Sequence, residues 1–221
     1  MFIGLGFKLS ALSRAIGDQY SVAGKKPELA FDFASEYYRT NLTQQTFSNA
    51  ITFTRASSAT MVDSTGTLVT VGANEPRIGH HVYNGSEWVN EGMLVESEPR
   101  TQLLHTTDSL VTQSHTVTAV PHTLHFTGTG TVTLSGASSA GPLVGTGVGE
   151  ENRVSLTFTP TAASLTLTVS GTVTDAQLEV GSTPSSYIPN LAGSGTVTRA
   201  ADTLTIPAAN LPWPEPQYIG D

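Results

Sequence analysis

The chain contains no cysteine, which excludes disulfide staples, thiol catalysis and cysteine-ligated zinc and leaves the redox compartment open. It is also poor in charge. Only 13% of its 221 residues are charged, and 10 lysines and arginines face 18 aspartates and glutamates, a net charge of −8. The densest basic point is Lys25-Lys26. A surface that holds nucleic acid by its phosphates needs a basic patch, so nucleic acid is not an expected partner. No apolar run approaches the length of a membrane span, so no membrane insertion is expected. The opening "MFIGLGFKLSALSRAIG" is interrupted by Lys8 and Arg14 and is followed by no cleavage pattern, so no signal peptide is expected.

Threonine, serine and glycine fill the space that charge leaves. Abundant Thr, Val and Ile with few charges describe a folded, β-rich chain, long enough to bury a core. Residues 7–17 form the one good helix candidate, with Leu9, Leu12 and Ile16 on one stripe and Gly17 to end it. Such a short helix needs a surface, either the chain's own β core or another protein. Beyond residue 28 the pattern alternates with period two. "ELAFDF" and "AITFTRA" read as strands, and 51–71 reads as a hairpin around the turn "DSTG". Asn84-Gly85 is a two-residue turn signal between "HVY" and "EWV". "TLHFTGTGTVTLSG" and "NRVSLTFTPTAASLTLTVSG" each read as two strands folded back through a turn. The glycine-rich run 136–152 reads as a mobile loop, and "IPAANLPWPEPQYIGD" as an extended arm. The expected fold is all-β: antiparallel β-sandwich or jelly-roll modules with a short N-terminal helix and an extended Pro-rich C-terminal arm.

Several constellations could carry chemistry. His122 and His125 lie three apart in a strand and face opposite ways, and His80 and His81 are adjacent, so neither pair chelates one ion; no metal or other cofactor is expected. Glu91, Glu96, Glu98 and Asp63 are the acids of a notional glycosidase pair, but Glu96 and Glu98 on one strand face equally describe a solvated strand. There is no Gly-x-Ser-x-Gly elbow, and "GTGTVTLSG" runs into a strand where a phosphate loop needs a helix. Trp88, Tyr83 and Asn84 are candidates for contact with glycan, with Trp213, Tyr187 and Tyr218 as further aromatics. Trp88 in a strand equally suits a core or a subunit interface, and Trp213 in "PWP" suits an anchoring arm.

"ITFTRASSATMVDSTGTLVTVGANEPRIGH", "GMLVESEPRTQLL" and "DAQLEVGSTPSSYIPNLAGSGTVTRAADTLTI" together resemble a pattern of tailed-phage and prophage virion fibres and of gene-transfer-agent head spikes. That pattern runs "FTRAS-AT-VD--G", "NEPR", "GLLIE-ARTNLL", "QLE-G--ATSYIPT" and "VTRAAD". The resemblance covers roughly 48–104 and 174–206; the middle module is short and lacks the common "YSEDFSNAAW" opening. It implies a virion-surface fibre, spike or tail component with sandwich domains of carbohydrate-binding type, and it implies no enzymatic activity. The expected partners are copies of the same chain in a trimer, other virion proteins docked through Leu9, Leu12 and Ile16, and host-surface polysaccharide. A capsid-bound head fibre or decoration protein is the alternative, and a glycan depolymerase the weakest. The expected location is the virion, assembled in the bacterial cytoplasm.

The resemblance also divides the chain: a docking segment 1–28, a β domain 29–104 closed by 183–206, an inserted sandwich 105–182 and an arm 207–221. On this division "FTRAS" and "VTRAAD" open and close one module. Arg55 and Arg199 are expected to lie near each other in one sheet and to pair, as a structural device, with Asp63, Glu75, Glu96 or Asp202.

Overall fold

The computed structural model describes residues 20–21 and 24–212. The proposed docking stripe of Leu9, Leu12 and Ile16, together with Trp213 and Tyr218, lies outside the described residues. The chain is all-β, built from small antiparallel sheets. Among the described residues no helix is long and apolar enough to cross a membrane.

The first sheet joins β1 (Ala30–Asp32), β2 (Tyr37–Thr40) and β3 (Thr43–Gln45) in that order. A single helical turn, α1 (Phe47–Ala50), follows. Tyr38 meets Phe33 and Phe47 edge-on at 5.7 and 5.6 Å, and Ala50 and Ile51 close this small core. Aromatic edge-to-face packing lets so short a helix persist. The start of the C-terminal arm is pinned here and is not extended. Residues Ala208–Asn210 form a 3-10 turn, and Asn210 donates to the Asn49 carbonyl at 2.7 Å.

Next come β4 (Thr52–Thr54), β5 (Ala59–Val62), β6 (Leu68–Val71), β7 (Arg77–Tyr83), β8 (Trp88–Leu94) and β9 (Arg100–Gln102). The hairpin around "DSTG" pairs β5 with β6, not β4 with β6. The β7–β8 hairpin sets Tyr83 opposite Trp88, which leaves a four-residue loop of 84–87 in place of a two-residue turn. The Asn84 carboxamide oxygen caps that loop by accepting from Ser86 N and Glu87 N, each at 3.0 Å.

A sandwich then runs through β10 (Gln113–Thr116), β11 (His122–Gly128), β12 (Thr131–Gly136), β13 (Leu143–Val144), β14 (Val154–Phe158), β15 (Ser164–Ser170) and β16 (Val173–Val180). One sheet has the order β10-β15-β12-β13, the other β14-β11-β16. Leu124, Phe126 and Leu178 from one sheet pack on Val132, Leu165 and Leu167 from the other, all without solvent exposure. The two strand pairs expected as hairpins are corners instead. β11 and β14 lie in one sheet, and their successors β12 and β15 in the other. Alternation alone cannot separate the two arrangements, because both turn the same side chains toward one core.

The glycine-rich run is ordered by pairing. β13 adds to the edge of β12, and Gly128 and Gly147 exchange backbone hydrogen bonds. A Cβ on Gly145 would run into the Gly128 carbonyl, so glycine here serves close backbone approach. Finally β17 (Val197–Arg199) pairs with β9, and β18 (Thr203–Thr205) with β4.

Candidate functional site

Arginines and acids of the "FTRAS", "NEPR", "GMLVE" and "VTRAAD" segments meet in one buried polar network. Arg55 follows β4, Arg77 opens β7 and Arg199 ends β17, and each is at most 1% exposed. Asp202 lies between two of them: Oδ1 stands 3.2 Å from Arg55 Nη1 and Oδ2 stands 2.6 Å from Arg77 Nη2. Glu96 Oε2 takes Arg77 Nη1 at 2.7 Å and sits 3.2 Å from Arg199 Nε, close enough for an ion pair though not aligned as a hydrogen bond. The acids are themselves tied together, since Asp202 N donates to Glu96 O and Glu96 N to Asp202 Oδ2, both at 2.8 Å.

Three guanidinium groups thus face two carboxylates, and backbone carbonyls take up other donors. Arg55 reaches Gly72 O at 2.6 Å and Ser57 O at 2.8 Å; Arg199 reaches Ala200 O at 2.9 Å and Glu98 O at 3.0 Å. The planar five-donor fork of arginine suits this role and an ammonium would not. Ser186 donates to both Glu96 oxygens, from its amide at 2.9 Å and its hydroxyl at 2.6 Å. Burial alone would raise the Glu96 pKa; the Ser186 bonds and the Arg199 and Arg77 charges outweigh it and hold it below the usual value.

Four expectations need correction. The Arg55 and Arg199 segments are neighbours, linked by Ala200 N to Ser57 Oγ at 2.9 Å, but their strands belong to separate two-stranded sheets. The Asp63 carboxylate caps its own turn through Thr65 N at 2.8 Å and Thr67 N at 3.1 Å, and pairs with no arginine among the described residues. The Glu75 carboxylate accepts from Gly72 N, and what Arg55 takes from Glu75 is its backbone carbonyl. Glu96 and Glu98 do not share a strand face: the segment between β8 and β9 is irregular, so Glu96 turns into the network while Glu98 is solvent-exposed. Sequence reasoning missed Arg77, although the "NEPR" quartet carries it.

A second polar layer covers the outer face of β14-β11-β16. Gln177 accepts from Ile188 N at 2.6 Å, and Glu179 from Ser185 N and Oγ, each at 2.7 Å. His125 lies 3.5 Å from Glu179 and accepts from Arg153 Nη1 at 3.0 Å; burial keeps its pKa below the ordinary histidine value. Ser185, Glu179 and His125 do not form a nucleophile relay. The serine donates to the carboxylate and not to the imidazole, and His125 and Glu179 have no solvent exposure.

A groove runs along the seam between the β5–β8 hairpins and the 149–151 segment. A cleft of about 510 Å³ is lined by Leu68, Thr70, Asp108, Glu150, Asp175 and Tyr187, among others. A second, of about 220 Å³, is lined by Val62, His80, Tyr83, Trp88, Glu150 and Glu151, among others. Glu150 lines both and is clamped by Arg153 at 2.7 and 2.5 Å. Tyr83 and Trp88 lie 5.2 Å apart, ring to ring. Gly66 makes this possible, because its φ is +83° and a Cβ there would sit 2.5 Å from the Trp88 indole. Asn84, spent on its own loop, does not line the groove. Burial raises the Asp175 pKa and lowers that of His80. The buried Tyr187 hydroxyl, bonded to Thr107 at 2.7 Å, is pushed up to about 12 by desolvation.

Among the described residues no three His, Asp or Glu side chains are grouped to hold a metal ion. Comparison with protein-family models, with curated proteins and with solved structures finds no match for this chain.

Proposed function

We propose that the chain is a structural protein of a tailed-phage virion surface, part of a fibre or spike that contributes to attachment to host-surface glycan, and not an enzyme. The reading rests on the sequence resemblance, and one observation supports it. Arg55, Arg77, Glu96, Arg199 and Asp202, all within the resembling segments, are spent on a sealed internal network. These residues then serve the scaffold, and the groove is a surface that a ligand can reach. Function in such a protein belongs to the site and not to the scaffold that carries it.

Locating the protein on the particle with labelled antibody, or by reconstruction of the virion, tests the reading. Density on a tail fibre or spike is the expected outcome, density on capsomers replaces it with the head-fibre reading, and absence from the particle overturns both. Deleting residues 1–20 is expected to abolish incorporation while a trimer persists in sedimentation; retained incorporation removes the docking role of Leu9, Leu12 and Ile16. Incubation with host polysaccharide is expected to release no new reducing ends. A saturable release would establish a depolymerase.

A further inference from the structure

We infer that the groove between the β5–β8 hairpins and the 149–151 segment binds a neutral or amino-bearing glycan chain and rejects uronate- and sialate-rich chains; this rests on the attachment reading and gives its ligand a chemical class. The larger cleft, at about 510 Å³, lies within the size range of small-ligand sites, and Glu150 joins it to the smaller one, so the shape suits a chain running past several subsites.

Each basin pairs an apolar face with acceptors. In the larger, Leu68 and Pro189 lie near Asp108, Glu150 and Asp175, over a buried Tyr187 whose ring Arg153 covers at 5.6 Å. In the smaller, Trp88 and Tyr83 lie near Glu150 and Glu151. An aromatic face stacks on the C–H face of a pyranose ring, and a carboxylate accepts from sugar hydroxyl or ammonium groups. The site is held in place before any ligand arrives. Arg153 fixes Glu150, Thr107 fixes the Tyr187 hydroxyl, and Gly66 seats the Trp88 indole.

The sign of the charge selects the class. No lysine or arginine lines either basin, and Asp108, Glu150, Glu151 and Asp175 all do. Burial lowers the His80 pKa, which disfavours a compensating positive charge there. Arg153 offsets the Glu150 charge, but Asp108 and Glu151 have no ion-pair partner among the described residues, so a chain bearing carboxylates meets net like charge, which costs affinity and slows encounter.

The test is titration of the full chain, followed by calorimetry, with a neutral N-acetylglucosamine oligomer, its deacetylated glucosamine counterpart and a galacturonate oligomer of equal length. The first two are expected to bind saturably and the third at least about tenfold more weakly. Tyr83→Ala, at an exposed position, is expected to weaken the neutral oligomer by about tenfold with an unchanged circular dichroism spectrum. Asp108→Lys with Glu151→Lys is expected to recover galacturonate binding. Tighter binding of galacturonate to the native chain overturns the inference, as does the absence of saturable binding by all three or an unaltered Tyr83→Ala variant. Competition of the purified chain with virions for host cells separates the two readings. A chain that blocks adsorption but binds none of the oligomers keeps attachment and loses the groove. A chain that binds oligomers but never competes keeps the groove and loses attachment.

Discussion

Asp202 Oδ2 lies 2.6 Å from Arg77 Nη2, across 125 residues of chain, with both side chains wholly shielded from solvent. The same carboxylate holds Arg55 through its other oxygen. Asp202→Ala would leave three buried guanidinium groups facing Glu96 alone. Losing one partner of a buried ion pair costs about 3–5 kcal/mol, because the remaining charge stays desolvated. Glu75→Ala, which removes an exposed carboxylate bonded to Gly72 N, is expected to stay within about 0.5 kcal/mol of the native chain. Urea denaturation of the two variants checks the contrast, and equal losses would mean that the network contributes nothing special.

The network also sets an acid limit. The folded-state pKa of Glu96 lies below the reference value of 4.5, so unfolding takes up a proton there and stability falls as pH drops below about 4.5. His125 adds to this higher up. Burial lowers its pKa from 6.5, so the unfolded chain protonates it first and stability begins to slip just below that pH. The urea midpoint measured between neutrality and acid is expected to decline in both windows. His125→Gln should make the upper window shallower, with His80 and His115 still contributing, and Glu96→Gln the lower, with Glu179, Asp32 and Asp63 still contributing, the latter from a less stable start at neutral pH. A midpoint that rises on acidification would contradict both signs.

The all-β class was legible because period-two alternation survives in β12, β14 and β15, though β11 is buried on both faces, and the position of the "DSTG" turn was legible from its residues. Strand partners were not. Leu124 and Val132 face one core whether their strands lie side by side or across a sandwich, so the pattern cannot choose. The arginine network was half legible. Arg55 with Asp202 and Arg199 with Glu96 are spatial neighbours, but Asp63 and Glu75 carry the same charge in the same kind of motif. What separates them is which carboxylates the loops turn inward. Arg77 stayed hidden because charged side chains are almost never fully buried unless paired, and its partners come from segments 19 and 125 residues away.

Gly66 offers a local test of the groove's architecture. An alanine there must hold a φ of +83° and place its Cβ 2.5 Å from the Trp88 indole, so the ring has to move. Backbone strain alone is worth about 1–3 kcal/mol. In a Trp213→Phe background the remaining indole reports directly. Gly66→Ala is expected to lower the melting temperature and shift the Trp88 emission, whereas Gly85→Ala at the adjacent hairpin tip, with open space around its Cβ, should cost only backbone strain and leave the emission unchanged. Identical spectra for the two variants would remove Gly66 as the seat of the indole.

Gln102 joins the two halves of the fold through one side chain. Its amide nitrogen donates to Ala176 O at 2.8 Å and Ile188 O at 3.3 Å, and its oxygen accepts from Leu104 N at 3.0 Å and Leu178 N at 3.1 Å. The residue is fully buried, so each of those backbone groups lacks water as a substitute. Gln102→Leu keeps the apolar volume and removes every bond, and each unsatisfied backbone group costs about 1–3 kcal/mol. The β9 strand should then loosen from β16 while the sandwich core of Leu124, Leu165 and Leu167 stays packed. Hydrogen exchange is expected to show lost protection at Leu103, whose amide bonds to Leu178 O, and at Ile188, with Leu167 unaffected. Uniform loss across all three would mean that the sandwich and the segments around β9 unfold as one unit, and that Gln102 supports the whole chain and not just this seam.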